Sequence, residues 1–408
     1  MQALPDGLGL PLQRGVALQV TTRRVRMTTM TVLGAPGEVF LLTHNALRSQ
    51  IGLATHARVE RIDPATLRPL ARSPRLPGGP MWPGGMALHA NGDLITVYGR
   101  WAHRLGRDCT VKAAHRLPEN AAYNSFVILD CGLIVTKNLS DHAPAMLSVL
   151  DPVSLAPVCA PVACPEPSIA RLSAVGDTVY LIGTASIMRF HWDGTTLRRD
   201  PDWRHAYLAD SGNSYGWDAV IADGHAWFMD NGHHRYRLSM IGRGVRRTAN
   251  RLIRVALDNS DDAEAVTVSG LPGGSITNPP LVDPGRRIVV GYDSANRVIA
   301  AWRYGDGPLQ ALWRREGIGC ASHLLGDPAR GLVITNDYAG GREAVIALDI
   351  TTGETAARIA VGGMMQGVVF PSPGWAGDIY WCSMGQLARV FPADGAPEGP
   401  TNHTKQEE

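Results

Sequence analysis

Apolar residues in this chain come in short runs of about five, too short and too continuous for one face of a helix, and each run is closed by a tight turn. The recurring unit is an apolar run, a turn carrying Gly, Asp or Asn, a second apolar run, and a third run further on. The first unit is MTVLGAPGEVFLLTHN, from Met30 to Asn45, and the next is GMALHANGDLITVYG from Gly85 to Gly99. Six more follow: FVILDCGLIVTKN from Phe126, RLSAVGDTVYLIG from Arg171, DAVIADGHAWFMDN from Asp218, PLVDPGRRIVVGYD from Pro280, HLLGDPARGLVITND from His323 and GVVFPSPGWAGDIYWCS from Gly367. The third runs are RVERID, WAHRL, AMLSVLD, SIMRFHW, RLIRVALD, RVIAAWR, AVIALD and QLARVF.

Units of roughly 40 to 60 residues have the length of one four-stranded blade. A single twisted blade leaves both faces wet, so blades must stack on one another to bury them. The expected fold is therefore all-β: a single β-propeller of about eight four-stranded blades, with seven possible if one connection is irregular. The last unit ends near Pro392 with three strands. GVALQVTTRRV, from Gly15 to Val25, is expected to supply the fourth and close the ring, which leaves no open sheet edge. The propeller then spans 1–392, and the polar, Pro- and Gly-rich stretch 393–408 is expected to be a disordered tail.

Composition agrees with many turns around a real core: 45 Gly and 28 Pro in 408 residues, with 45% hydrophobic and 19% charged. A formal net charge of +2 gives no overall field toward nucleic acid or an anionic membrane. Neither a signal-like N-terminus nor an apolar stretch of about 18 residues is present, so the expectation is a cytoplasmic protein with no nucleic-acid or membrane partner. The six cysteines, Cys109, Cys131, Cys159, Cys164, Cys320 and Cys382, are scattered without a CxxC pair, which argues against thiolate metal sites. Cys131 and Cys382 fall in or beside strands, where a cysteine is usually a small buried hydrophobe.

Two stretches, VERIDPATLRPLARSPRLPGG from Val59 and AVIALDITTGETAARIAVGG from Ala344, resemble YVTN-type and quinoprotein-like propeller repeats. PGGMALHANGDLITVY from Pro83 is similar to blades of NHL and gluconolactonase-type propellers. The resemblance implies the fold and leaves the activity open.

In such a ring the ends of the second strands gather around one mouth of the central channel. Those ends carry His44 and Asn45, Tyr98 and Arg100, Lys137, Asn138 and Asp141, Asp230 and Asn231, Tyr292 and Asp293, and Asn336, Asp337 and Tyr338. Asp and Asn are also ordinary turn residues, whereas Lys137, Arg100 and His44 are not. The entry segments of the first strands add Trp82, Tyr123, Arg171, Tyr215, Trp217, Asp218, Asn278, Ser322, His323 and Gln366. Two loops are long: 46–57, and 233–251 with its six arginines, among them Arg235, a composition suited to carboxylate or phosphate groups or to a plain solvated loop.

These residues suggest an enzyme acting on a small anionic or polyhydroxylated molecule by hydrolysis or elimination. Asp230, His233, His234, Asp337, His323 and Tyr292 are the candidate catalytic groups. Lys137, Arg100, Arg235, Trp217, Tyr215, Tyr123 and Trp82 are the candidate substrate contacts. Asp230, Asp293, Asp337 and Asn45 offer hard oxygens for a divalent cation such as calcium or magnesium. His44, His142, His233 or His234, and His323 resemble in placement the four-histidine iron site of carotenoid-cleaving propellers, without its spacing. The alternatives are a non-catalytic binding platform and a metal- or quinone-dependent oxidoreductase. For the quinone, the adjacent-cysteine ring and tryptophan docking motif of the alcohol dehydrogenases are missing.

Overall fold

The apolar second runs become, in the computed structural model, the buried middle of eight separate antiparallel sheets, six of them built from four successive strands each. The structure describes residues 10–79, 84–209, 211–232, 248–363, 370–383 and 385–393. Blade 2 is typical, with strands Gly85–Leu88, Leu94–Tyr98, Trp101–Leu105 and Val111–Arg116. Its second strand is buried at every position while its fourth alternates in exposure. The same gradient recurs in blade 6, from Ile288–Asp293 to Gln310–Glu316. A second strand is covered by neighbouring blades on both faces and so needs no polar alternation; a fourth strand lies at the rim, half in water.

Eight blades are present, which removes the seven-bladed alternative. The last has the order Leu18–Arg24, Gln386–Pro392, Ile379–Ser383, Ser372–Pro373. The N-terminal strand pairs with Gln386–Pro392 over its whole length, from Leu18 opposite Pro392 to Arg24 opposite Gln386. The expected closure is thus the observed one. Blade 1 carries one addition, Leu76–Pro77, which pairs with His56–Ile62.

Core clusters run between blades without a break. Phe40, Val59 and Leu105 join blades 1 and 2, and Ile95, Val97 and Ile134 join blades 2 and 3. Val135, Leu181 and Phe190 continue to blade 4, and Ile182, Phe228 and Ile253 to blade 5. Trp227, Val289 and Val333 span blades 5 to 7. Val345, Trp381 and Leu41 link blades 7, 8 and 1, completing the circle. At about 2 kcal/mol for each fully buried aliphatic side chain, these seams carry most of the burial energy. Among the cysteines Cys382 is buried as expected, but Cys131 is exposed, because it sits in the turn itself, where Gly132 N–H donates to the Leu129 carbonyl. The described residues contain no helix long and apolar enough to cross a membrane. The expected tail lies, but for its first residue, outside the described residues.

Candidate axial site

Because strands alternate direction, second-strand ends and first-strand entries lie at the same end of each blade, and the structure gives these two sets different tasks. The second-strand ends are brackets. Asn231 accepts from the Ile276 N–H at 2.8 Å and donates to the Tyr215 carbonyl at 3.0 Å. Asn336 accepts from the N–H groups of Ala321 and Ser322, both at 2.9 Å, and donates to the buried Glu343 carboxylate at 2.5 Å. The phenol of the fully buried Tyr292 accepts from Asn278 N–H at 2.8 Å and donates to its carbonyl. Each bracket holds the entry segment of its own blade or the next one in register.

The acidic members are bracketed too. Asp230 is fully buried and accepts from the N–H and Nε of Arg251, at 2.7 and 2.8 Å, and from Asn213 at 3.0 Å. Burial pushes its carboxyl up to about 6, against the pull of Arg251. Asp293 accepts from Ser269 and the Ser275 N–H. Asp337 accepts from the Gly319 N–H and Arg358. Asn45 accepts from the His56 N–H at 2.6 Å. The four oxygens offered for a cation are therefore spread over four blades, each in its own clamp. Among the described residues no three His, Cys, Asp or Glu side chains are grouped to hold a metal.

The entry segments converge instead. Arg171, entering blade 4, donates from its backbone N–H and Nε to Asp218 of blade 5, at 2.6 and 2.5 Å, and from Nη2 to Asn278 of blade 6 at 2.7 Å. Its guanidinium lies 4.7 Å from the ring centre of Phe370, which enters blade 8. Blades 4 and 8 are opposite in a ring of eight, so this contact exists only on the axis. His323 of blade 7 packs against the same ring at 5.2 Å. Arg171, His323 and Phe370 are partly exposed, while Asp218 and Asn278 are buried behind them.

Electrostatics at the axis favour a neutral histidine and an anionic guest. Burial, with Arg171 adding to it, pushes the His323 imidazole down to about 4. Its Nδ1 lies 3.3 Å from the Leu324 carbonyl; a carbonyl only accepts, so Nδ1 carries the proton and Nε2 keeps its lone pair. Lys137, fully buried, donates to the Ser168 carbonyl at 3.0 Å. Burial pushes its ammonium down to about 7, with Cys164 and Asp218 pulling the other way. Asp218 thus serves two cations.

Other nominated residues lie elsewhere. Arg100 is spent on Asn120 and the carbonyls of Leu117 and Pro118. The buried phenol of Tyr123 accepts from the Glu119 N–H. Trp217 belongs to the core between blades 5 and 6, and Tyr215 is half-buried beside it. His44 packs against Tyr98 with its ring tilted, and His142 is exposed beside Asp141. Trp82, His233, His234, Arg235 and Gln366 lie outside the described residues. Phe370 escapes a reading of the sequence, since a lone aromatic before a two-residue strand carries no signal there.

No family model and no curated protein matches this chain. Solved structures do. The Dos1 propeller is 8% identical with a TM-score of 0.64, over 91% of this chain and 94% of that one. A quinohemoprotein alcohol dehydrogenase from Pseudomonas putida HK5 is 10% identical with a TM-score of 0.60, over 97% of this chain and 79% of that one. AztD from Citrobacter koseri is 14% identical with a TM-score of 0.51, over 83% and 87%. At such identities the likeness is one of fold: the β-propeller resemblance read from the repeats holds at that level.

Proposed function

We propose that this protein is an enzyme acting on a small anionic, hydroxyl-bearing molecule at the axial mouth, by hydrolysis or elimination. The observation that carries this reading is the meeting of Arg171, His323 and Phe370 from three blades on the axis, partly open to solvent, with a single carboxylate, Asp218, behind two cations. Arg171 holds the anion on its open side, with Lys137 adding positive potential from behind. His323 Nε2 accepts a proton from water or from carbon, and Asn278 keeps Arg171 in place. Neutralising Arg171 with a bound anion removes part of what depresses His323, raising its basicity when substrate is present. Asp230 and Asp337 keep a supporting share in this scheme through the segments they bracket.

The test is turnover of a panel of lactones, esters and hydroxy acids by the full chain. His323→Gln is expected to lower kcat by about a hundredfold or more, in the range of a lost general base, and Arg171→Lys to raise KM. Because the free imidazole ionises near 4, kcat/KM is expected to rise through that pH and stay flat to neutrality. Undiminished turnover in His323→Gln, or an acid limb at the ordinary histidine pH, overturns the assignment. A second reading, a non-catalytic binding platform, is favoured by one observation: Arg171 is already engaged by Asp218 and Asn278 and lies against Phe370 from the opposite blade, so side chains of the protein itself narrow the mouth. Saturable binding without turnover across the panel selects it.

A further inference from the structure

The seam where the ring closes holds a second cleft, on the same face as the axial mouth but away from the axis. The N-terminal strand Leu18–Arg24 ends there, opposite Gln386. The chain then crosses to Met27, which stands opposite His44 at the end of blade 1's second strand. The start of the third strand, at His56, and the end of the fourth, at Arg72, lie at this end as well. Between them is a cavity of about 420 Å³ lined by Arg23, Arg24, Arg26, Arg58, Arg72 and Arg75.

Among the described residues the lining contains one carboxylate, Glu60, and two of the arginines use it: Arg23 at 2.6 Å and Arg72 at 3.0 Å. Among the described residues Arg24, Arg26, Arg58 and Arg75 have no acidic partner. Arg26 contacts His56 Nε2 at 3.5 Å. The imidazole of His56 is itself pushed down, first by burial and then by the positive charge of Arg75, Arg26, Arg58 and Arg48. Folding has thus gathered like charges that repel one another, in a protein whose whole chain carries only +2. Such a concentration is unfavourable until a counter-charge enters.

We propose that this seam is a binding site for a compact anion carrying two or more phosphate groups, distinct from the axial site. The guanidinium forks match phosphate oxygens two at a time, and one monovalent carboxylate would leave most of them unmatched. The volume falls in the range of small-molecule pockets. Among the described residues the lining offers no Phe, Tyr or Trp on which bases could stack, which distinguishes it from a single-strand track. The anion would touch Arg24 and Arg26 on the strap entering from blade 8 and Arg58 and Arg75 on blade 1. It would therefore also fasten the two sides of the closure.

Titration calorimetry of the full chain with inorganic tripolyphosphate, at physiological ionic strength, tests this. One-to-one saturable binding is expected, with a rise in Tm that grows with ligand concentration. Arg58→Ala with Arg75→Ala is expected to weaken binding at least about tenfold, which corresponds to about 1.4 kcal/mol. Arg24→Ala with Arg75→Ala, both at exposed side chains, is the companion pair and is expected to do the same. Arg303→Ala, at the far end of blade 6, is expected to change nothing. The proposal fails if tripolyphosphate shows no saturable binding or if Arg303→Ala weakens it equally. It fails too if Arg171→Lys abolishes binding while the seam variants do not, because the anion then sits on the axis. A single-stranded oligonucleotide that binds more tightly with each added nucleotide, and competes with tripolyphosphate, would make the cleft part of a polymer track and overturn the compact ligand.

Discussion

At the scale of single residues, burial of ionisable side chains without a counter-charge sets much of the chemistry. His103 is 1% exposed, stacked on Trp101, and neither ring nitrogen has a hydrogen-bond partner. Burial pushes it down to about 4, as it does His44 and His323. The sign follows from linkage. The unfolded imidazole takes up a proton below about 6.5 while the folded one stays neutral, so stability is complete above pH 6.5 and falls as pH drops toward 4. His103→Phe is expected to recover roughly 2 kcal/mol of what is lost between pH 8 and pH 5, read as the difference between urea midpoints at the two pH values. An equal loss in variant and parent would show that this ring is not the source. Lys137 and Asp230 illustrate what the sequence concealed: both were legible as unusual polar positions, but whether each faces the channel or a bracket depends on partners far along the chain, Ser168 for one and Arg251 for the other.

The elements show why brackets and entries are so closely coupled. Gly319 opens the segment that carries His323, and its N–H donates to Asp337 at 2.9 Å. A Cβ on Gly319 would meet the backbone carbonyl oxygen of Tyr338 at 2.3 Å, too near for either main chain to yield cheaply. Gly319→Ala is expected to cost about 3 kcal/mol and, by shifting the entry of blade 7, to weaken whatever the axial mouth binds. Thermal unfolding and ligand titration on the same sample check both halves. Elsewhere the turn chemistry was open to reading from the sequence. Asp63, Asp151, Asp193 and Asp349 each accept N–H groups two and three residues on, between third and fourth strands. These Asx-type turns are local and depend only on neighbouring residues.

For the molecule as a whole, closure of the ring is the decisive event, because each seam buries apolar surface from two or three blades and the last seam joins the two ends of the propeller. Removing residues 1–26 would strip the outer strand from blade 8, turn the largely buried strand Gln386–Pro392 into the sheet edge, and take away Arg23 and its bond to Glu60. Such a truncated chain is expected to melt earlier and in more than one step, and to aggregate through the exposed edge; calorimetry and light scattering report on each. A single transition at the original temperature would mean that closure contributes little.

What the sequence determined by itself was the repeat: eight pairs of apolar runs, their turns, the third strands, and the spare strand near the N-terminus that completes the count. Those features are local, set by a period of two, by Gly and Asp at tight turns, and by apolar content. Only the tertiary structure decided which of two polar rings reaches the axis. Asp218, Asn278 and His323 lie 47 to 152 residues from Arg171 along the chain, and nothing in local spacing distinguishes a side chain that meets an opposite blade from one that secures its own hairpin. The charge of the seam was hidden for the same reason: its arginines come from three separate segments, at 23–26, at 58 and at 72–75, and they become one cleft only when the first strand pairs with the last.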